Sequence, residues 1–312
     1  MSGKTILAVL AVLAAGCFGA ETSSAQPGCS DENCVRVGSF NIQLLGNGGP
    51  GSGHIDAIAK LIADEAKLDL AVLEEININS ADWSNLKAAL EARGYDAELA
   101  GSSGGELKQY VVFIYRTERV TLLNEPSELE TGLSATEPGN PACTYDSLRQ
   151  PLTARFKVGE FDFRLIGVHL KSKRTVDGAD PECDDRIRRM QADALLTKLK
   201  DLEAESGEAE QDVLIVGDFN DSAESDFLKP FADAGFTTTI EPDALMAGSG
   251  EFSYLNSGGE RIDHVMLRRD GTSEWVAGSS FILAPDDVDE HKDTISNHVP
   301  VWTSFSVEAD DD

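Results

Sequence analysis

The sequence predicts a layered α/β fold with mixed β-sheets. Short apolar stretches typical of buried strands alternate with longer stretches in which apolar residues recur at helical spacing. Two neighbouring strands flank the short turn at Val158-Gly159-Glu160, which favours antiparallel pairing and therefore a mixed sheet rather than a strictly parallel one. The predicted strands cover residues 35–42, 69–74, 109–116, 152–158, 162–169, 212–217, 262–268 and 298–305, and the predicted helices cover 55–67, 82–93 and 184–203.

The start of the chain is typical of an export signal. Lys4 precedes an apolar run over residues 6–15 that is too short to span a membrane as a stable helix. Residues 23–25 fit a signal peptidase site, whereas residues 13–17 fit a lipoprotein box. We expect export, either as a secreted or periplasmic protein or with a lipid anchor at Cys17, and no integral membrane span.

The remaining chain is expected to form one large domain. Residues 1–25 are the signal segment, 26–34 a linker, 35–307 the folded domain and 308–312 an acidic tail. Four cysteines remain when Cys17 is set aside, and an even number in an exported protein predicts two disulfides. The expected pairs are Cys29 with Cys34 and Cys143 with Cys183, although the sequence does not fix the connectivity and free buried thiols are the alternative.

The surface charge is strongly negative. The chain has 26 basic and 55 acidic residues, a formal net charge of -29. A polyanion repels another polyanion, so binding of DNA requires local basic residues or metal ions. Six basic residues are close in sequence and offer such a patch, or alternatively a solvated helix face: Lys171, Lys173, Arg174, Arg186, Arg188 and Arg189.

One predicted strand ends in a distinctive set of polar residues. The apolar run 213–216 stops at Gly217, and Asp218, Phe219 and Asn220 follow directly. In an extended chain, Asp218 and Asn220 lie on the same side. A carboxylate and an amide oxygen that point the same way suit a hard cation or a phosphate, although these residue types are also common in turns.

Polar residues gather in the same way at five other strand ends. Taken singly, each pair is explained by ordinary hydrogen bonding of buried polar groups. Together they indicate a site, because sites of layered α/β folds assemble at strand ends, and this inventory suits a divalent cation with acid/base chemistry on a phosphate ester. The pairs are Asn41 and Gln43, Glu74 and Glu75, His169 and Lys171, Asp263 and His264, and Asn297 and His298.

Several other site chemistries lack their sequence motifs. No HExxH or paired CxxC indicates zinc. No GxxxxGKS is present, which removes the standard signature of nucleoside triphosphatases. The segment GSSGG at 101–105 fits GxSxG by letter, but it lies in a Gly-rich connector rather than in the strand–turn–helix context that the serine-hydrolase motif requires.

The motifs resemble, in their chain order, those of the endonuclease/exonuclease/phosphatase superfamily. The resemblance runs from Val35 to Val307 and is closest to secreted nucleases of the deoxyribonuclease-I type. It implies a catalytic domain with a four-layer α/β sandwich, in which two packed mixed β-sheets are flanked by helices. The motifs are GSFNIQ, LEEI, QYVVFIYR, RQP, VHLKS, GDFND, RIDHV and SNHVPV.

The resemblance implies roles for the strand-end residues. Asn41 matches the asparagine that positions phosphate and metal-bound water, and Glu75 matches the metal-binding glutamate. Asp218 and Asn220 match the pair that orients the nucleophile and the phosphate. His169 matches the histidine beside the scissile phosphate, where it stabilises the phosphate or assists the leaving oxygen.

Further positions are implied for the base and for the substrate. His298 matches the last histidine, which takes a proton from water, and Asp263 matches the aspartate that orients it. Tyr110 and Arg149 match positions that contact the nucleic-acid backbone, and Lys171 is expected to contact substrate as well.

The sequence departs from the family pattern at two positions. Glu74 stands where glutamine is usual, and Asn297 stands where an aspartate of the metal site is usual. Asn297 keeps one oxygen but loses the charge, so we expect weaker metal affinity. The expected ion is Mg²⁺, with Mn²⁺ or Ca²⁺ as alternatives, and the expected ligands are Glu75, Asn41, Asn297 and Asp218.

The expected function is that of a secreted, divalent-metal-dependent endonuclease that hydrolyses extracellular DNA as a monomer. The alternative is a phosphodiesterase acting on a lipid headgroup or another small phosphoester, similar to a sphingomyelinase. The scattered positions of Trp83, Trp275 and Trp302 disfavour an aromatic membrane-inserting hairpin. A third class, a non-catalytic binding protein on this fold, rests on Asn297 alone.

Overall fold

The computed structural model describes residues 30, 32–98, 108–133, 136–137, 139–144, 148–173, 182–206 and 212–308. The strands are β1 Cys34–Leu45, β2 Leu70–Ile76, β3 Tyr95–Glu98, β4 Tyr110–Arg116, β5 Thr121–Leu122, β6 Ser127–Glu128, β7 Thr136–Glu137, β8 Asn140–Thr144, β9 Leu152–Val158, β10 Phe161–His169, β11 Val213–Asp218, β12 Phe236–Thr238, β13 Asp263–Arg268, β14 Phe281–Ile282 and β15 Val301–Ser306. The helices are α1 Ile55–Lys60, α2 Ala81–Glu91, α3 Cys183–Ser206, α4 Lys229–Asp233 and α5 Val288–Thr294. A π-helical turn, Leu61–Glu65, continues α1, and a 3-10 turn covers Pro242–Ala244.

The described strands form two mixed sheets and a separate two-stranded sheet of β7 and β8. The first sheet has six strands in the order β14-β15-β1-β2-β4-β3. The second has seven, in the order β12-β13-β11-β10-β9-β5, with β6 also paired to β9. The pairs β1–β2 and β10–β11 are parallel, whereas their outer neighbours are antiparallel.

Aromatic side chains from both sheets fill the space between them. Phe113 of the first sheet meets Phe156 of the second edge to face, with ring centroids 5.6 Å apart. Phe161 stacks on Phe305 at 5.4 Å across the same interface. Burial of each such side chain contributes about 1.5–3 kcal/mol before the cost of ordering the chain.

Helices cover the outer faces of the two sheets. Residues of α1 and α2 pack with the first sheet in one apolar cluster, and residues of α3 and α4 pack with the second sheet in another. The order helix, sheet, sheet, helix confirms the predicted four-layer α/β sandwich.

The parallel pairs bring the polar strand ends together. Asn41 on β1 is paired with Glu74 on β2, and His169 on β10 is paired with Asp218 on β11. Strand β13 runs antiparallel to β11, so its first residue, Asp263, lies opposite Asp218. The carboxyl ends of the central strands and the start of β13 therefore share one end of their sheets.

The predicted strands are present, with shifted boundaries. The prediction of strand over 298–305 is wrong in its first three residues, because the strand begins at Val301 after Pro300, which has no N–H to donate. Several short elements were not predicted, since two to seven residues are too few to show a hydrophobic period: β3, β5 to β8, β12, β14, α4 and α5.

One predicted disulfide is confirmed. Cys143 and Cys183 are bonded, with Cα atoms 5.6 Å apart, and the bond ties β8 to the first residue of α3. Cys34 is also disulfide-bonded. Its predicted partner Cys29 and the lipid-anchor candidate Cys17 lie outside the described residues. Among the helices that the structure describes, none is both long and apolar enough to span a membrane.

Gly217 lies where β11 closely approaches β10. A Cβ atom there would lie 2.0 Å from the carbonyl oxygen of Val168, and the φ angle of Gly217 is +146°. Gly217→Ala should therefore lower the free energy of unfolding by about 1–3 kcal/mol through overpacking, in addition to backbone strain. Chemical denaturation of both proteins measures this loss.

The matched control for Gly217 is Gly53→Ala. Gly53 has a φ angle of +84° but nothing within 4 Å of the added Cβ. It should show only the left-handed backbone cost, about 1–2 kcal/mol. Equal losses for the two variants would contradict the close approach at Gly217.

Candidate active site

The polar strand ends meet in a cleft at one end of the two sheets. The cleft has a volume of about 450 Å³. Seven of the sequence-predicted site residues line it: Glu75, Arg149, His169, Asp218, Asn220, Asn297 and His298. Asn41 and Asp263 are buried beneath its floor and hydrogen-bond to the lining side chains.

Asn41 joins the two sheets at the floor of the cleft. Its Nδ2 donates to Asp218 Oδ2 at 3.0 Å and to Glu75 Oε1 at 3.3 Å. Its Oδ1 accepts from the backbone N–H of Gln43, and the N–H of Leu44 donates to Glu75 Oε2, both at 3.0 Å. One amide group thus fixes the separation of two carboxylates that arise from different sheets.

Unusual backbone conformations orient the side chains of Glu75 and Asn220, which line the cleft. Glu75 has a φ angle of +63° and Asn220 of +55°, a region that residues other than glycine rarely adopt. The pairing of β2 with β4 shifts register between Leu73 and Ile76, which marks a bulge at Glu75. Strain of this kind costs about 1–3 kcal/mol per residue and is typical of functional sites.

His298 forms a buried pair with Asp263. His298 Nδ1 lies 2.9 Å from Asp263 Oδ2, and the backbone N–H of Asp263 donates to Ser253 Oγ. Burial lowers the pKa of His298, but the charge and hydrogen bond of Asp263 outweigh it and raise the pKa to about 9. The imidazole of His298 therefore holds a proton at neutral pH, and its Nε2 lies 3.9 Å from Asp218 Oδ2.

The pKa of His169 is shifted in the opposite direction from that of His298. Burial lowers its pKa well below the ordinary value, and the nearby positive charge of Arg149 adds to this. Arg149 is held close because it donates to the carbonyl oxygens of His169 and Leu170 at 3.1 Å. His169 Nε2 lies 3.6 Å from Asp218 Oδ2, so a neutral and a protonated imidazole flank the same carboxylate.

The buried carboxylates of the site repel one another, because too few positive groups lie near them to compensate their charge. Burial and the charge of Asp263 raise the pKa of Asp218 to about 7. Asn297 Oδ1 is buried and has no hydrogen-bond partner among the described residues. Carboxylate and amide oxygens that lack compensating donors are suitable ligands for a hard divalent cation, so the residues present fit such an ion.

The oxygens offer two overlapping positions for a cation. Glu75, Asp218 and Asn297 line the cleft, as the sequence predicts for a metal site. Ligand atoms of Asp218, Asp263 and His298 also lie within 4.8 Å of one another. The second group is already joined by the bond between His298 and Asp263, which favours the position beside Glu75 for the ion.

Two predicted substrate contacts lie outside the cleft wall. Tyr110 is half-buried at the start of β4 and packs against the outer apolar cluster, while its neighbour Gln109 lines the cleft and accepts from Arg149 Nη1 at 3.0 Å. Lys171 Nζ lies 3.1 Å from Asp184. The substrate roles of Tyr110 and Lys171 stay predictions.

Sequence reasoning missed one wall of the cleft. Tyr254, Ser257 and Glu260 line it from the loop before β13, and the Tyr254 ring lies 4.9 Å from that of His298. The loop tip has left-handed residues at Ser257 and the two glycines that follow. The segment Ser-Gly-Gly is a turn signal in the sequence, but nothing local shows that the turn folds over His298.

A family model described as the endonuclease/exonuclease/phosphatase family matches residues 38–298. The chain belongs to the endonuclease/exonuclease/phosphatase family. Members of this family are phosphoric-ester hydrolases, so the enzyme class predicted from the sequence is confirmed. The closer resemblance to deoxyribonuclease-I-type nucleases stays a prediction. No curated protein sequence matches the chain.

Solved structures of the family share this fold. A family protein from Bacteroides thetaiotaomicron is 19% identical, with a TM-score of 0.57, covering 87% of this chain and 97% of that one. The catalytic domain of human Nocturnin with bound sulfate is 14% identical, with a TM-score of 0.60, covering 88% and 93%. D. rerio TDP2 with a single-strand DNA product is 16% identical, with a TM-score of 0.58, covering 88% and 99%. At these identities the likeness shows the fold alone.

Glu74 is a fully buried carboxyl group behind the site. Its Oε1 accepts from Ser39 Oγ at 2.9 Å, and its Oε2 has no hydrogen-bond partner in the described part of the chain. Burial, followed by the charges of Asp263 and Asp218, raises the pKa of Glu74 well above its ordinary value. The folded protein therefore keeps Glu74 protonated at pH values where the unfolded chain releases the proton.

Glu74→Gln should change how stability depends on pH. Because the pKa of Glu74 is raised in the folded state, the wild type loses stability as pH rises above the unfolded value of about 4.5. Glutamine does not ionise, so the variant should gain on the wild type by up to about 1.4 kcal/mol per pH unit in that range. Unfolding in chelator-containing buffer from pH 4 to pH 8 measures the gap.

The control for Glu74 is Glu118→Gln in an exposed turn. That variant should track the wild type at every pH. A Glu74→Gln gap that stays constant with pH would show that Glu74 ionises normally in the folded protein.

Proposed function

We propose that this protein is a secreted, divalent-metal-dependent phosphodiesterase and that extracellular DNA is its substrate. The observation that carries the proposal is the pair of buried histidines whose Nε2 atoms lie 3.6 Å and 3.9 Å from the same atom, Asp218 Oδ2. Two imidazoles beside one carboxylate can both reach a phosphate bound there, one as a hydrogen-bond donor and one as a base.

The chain's own residues divide the work of hydrolysis. Asn41 and Asn220 orient the phosphate and the attacking water, and His169 donates a hydrogen bond to the phosphate or to the leaving oxygen. His298 accepts the proton of the water, and Asp263 stabilises the resulting imidazolium. His298 must first release the proton it holds in the free site, because only the neutral imidazole can accept the proton of the water.

The proposed ion is Mg²⁺, with Mn²⁺ or Ca²⁺ as alternatives. Glu75, Asp218, Asn41 and Asn297 would hold it. The ion would offset the charge of the phosphodiester, which otherwise resists attack by a nucleophile. Asp218 and Glu75 are already spaced for this by Asn41.

A second candidate substrate is a lipid headgroup or another small phosphoester. The basic residues near the cleft are already paired with carboxylates. Lys173 Nζ lies 2.6 Å from Glu260 Oε2, and Arg186 Nη1 lies 3.4 Å from Glu182 Oε2. The remaining described members of the basic patch, Lys171, Arg188 and Arg189, also pair with carboxylates. Paired cations offer little to a long polyanion, which favours a short substrate.

We also propose that the mature protein is exported and acts as a monomer. The apolar run after Lys4 and the disulfide between Cys143 and Cys183 support export, because structural disulfides persist in oxidising compartments. Attachment of lipid at Cys17 is the alternative to free secretion.

His169→Ala and His298→Ala should each reduce hydrolysis by about 10²- to 10⁴-fold, the usual contribution of general acid/base groups. The measurement is nicking of supercoiled plasmid and, separately, cleavage of sphingomyelin, each with Mg²⁺, Mn²⁺, Ca²⁺ or chelator. His54→Ala, at an exposed histidine outside the cleft, is the control and should match the wild type.

The outcomes separate the two substrates. Nicking that requires metal and both histidines supports the nuclease. Cleavage of sphingomyelin without nicking supports the small-substrate candidate. Turnover that persists in chelator, or in both histidine variants, would overturn the proposal.

Asn297→Asp should strengthen metal binding. The new carboxylate would add a negative charge next to Glu75 and Asp218, and the change should lower the metal concentration for half-maximal activity by about 10- to 100-fold. Gln109→Glu, which adds the same charge on another part of the cleft wall, is the control. An unchanged metal titration for Asn297→Asp would place residue 297 outside the metal site.

A further inference from the structure

Arg188 on α3 is a charged side chain without any exposed surface. Its Nη1 donates to the backbone carbonyl oxygen of Lys171 at 3.0 Å. Its Nη2 donates to Asp185 Oδ1 and lies 3.3 Å from Asp221 Oδ2. The guanidinium therefore has one partner on its own helix and two partners on other segments.

The two distant partners lie on the loops that follow the central parallel strands. Lys171 comes two residues after His169, and Asp221 comes directly after Asn220. A guanidinium is planar and presents several donors in a fixed geometry, so it can hold two acceptors at a set separation. Arg188 thus sets the spacing between the loop of His169 and the loop of Asn220.

A second residue of α3 holds the same loop. Gln191 Oε1 accepts from the backbone N–H of Lys171 at 2.8 Å. Gln191 follows Arg188 by one helical turn, so both backbone polar groups of Lys171 are bound by one face of α3. The loop therefore has no freedom to slide along the helix without losing a buried hydrogen bond.

The two loops are also bonded to each other. Asn220 Nδ2 donates to the carbonyl oxygen of Leu170 at 3.2 Å, and the N–H of Leu170 donates to the carbonyl oxygen of Asp218 at 2.9 Å. A displacement of either loop is therefore transmitted to the other, and with it to the residues that face the substrate.

Attachment of α3 to the sheet does not require a buried ion. Leu195, Leu196 and Leu199 already pack into the apolar cluster between α3 and the second sheet. A buried charge is costly unless it is paired, and an apolar side chain of similar size often serves stability as well. The charged guanidinium of Arg188 instead lies where the two loops meet.

We propose that Arg188 is a positioning residue, which couples the loop of His169 to the loop of Asp218 and Asn220 and so sets the geometry of hydrolysis. The inference rests on the proposed function for its catalytic consequence. Its structural consequence, the shared order of the two loops, is independent of turnover.

The kinetic test compares Arg188→Lys with Arg189→Lys. Lysine keeps the charge, but its compact ammonium group on a flexible stem lacks the planar fork that holds two acceptors at a set separation. With bis(p-nitrophenyl) phosphate and Mg²⁺, Arg188→Lys should lower kcat by about 10- to 100-fold. KM should change by less than about threefold, since Arg188 does not touch substrate. Arg189 is exposed and donates to Asp226 instead, so the same substitution there should leave both constants unchanged.

The structural test is amide hydrogen exchange over residues 169–173 and 218–222. Arg188→Lys should accelerate exchange in both segments together, and Arg189→Lys in neither. If Arg188→Lys does not fold, Gln191→Met replaces it, with faster exchange over 169–173 and a lower kcat as the expected results.

The outcomes are distinguishable. An active wild type with equal kcat for the two lysine variants, or exchange that rises uniformly over the whole chain, would overturn the positioning role. A wild type that hydrolyses neither this probe nor plasmid contradicts the proposed function, and the exchange of the two segments then decides the role of Arg188 alone.

Discussion

The burial of several carboxyl groups at one end of two sheets is the constraint on which the site depends. Glu74, Asp218 and Asp263 are each almost completely buried. Burial and mutual repulsion raise the pKa of Asp218 to about 7 and that of Glu74 well above its ordinary value. Neighbouring polar groups compensate this charge. Asn41 Nδ2 donates a hydrogen bond to Asp218, and His298 stays protonated beside Asp263.

The backbone conformation also positions the residues of the site. Left-handed conformations at Glu75 and Asn220 direct their side chains toward one point, and Gly217 lets β11 approach β10 just before Asp218. Such strained positions persist only where the surrounding structure holds them, which here is the work of two tightly packed sheets and of the contacts between α3 and the loops. The fold thus stabilises an arrangement that the site alone would not keep.

The sequence predicted the strands that carry the site, because a short run of apolar residues is a local signal of a buried strand. It therefore placed Glu75, His169, Asp218 and Asp263 correctly at or next to strand ends, whereas Asn41 lies inside β1, which continues to Leu45. It did not predict which loop residues face the cleft, since that depends on distant partners. Lys171 is bound by α3, far along the chain, and the loop that carries Tyr254 reaches His298 through tertiary pairing.

The pairing of basic side chains with carboxylates affects how this acidic protein can bind an anionic substrate. Because the cations near the cleft are buried or paired, the proposed metal ion would supply positive charge to the site. Relative to the pattern that the resemblance implies, Glu74 stands in place of a glutamine and Asn297 in place of an aspartate, and nothing in the structure explains either departure.

The proposed function requires a divalent cation to complete the carboxylate cluster. The most direct measurement is calorimetric titration of chelator-treated wild type and Asp218→Asn with Mg²⁺ and Mn²⁺ at neutral pH, in buffers of different ionisation enthalpy. The account predicts that the wild type binds the ion and releases protons, because groups held protonated by repulsion ionise beside a cation, and that Asp218→Asn binds more weakly. Absence of binding to the folded wild type, or equal binding by both proteins, would contradict it.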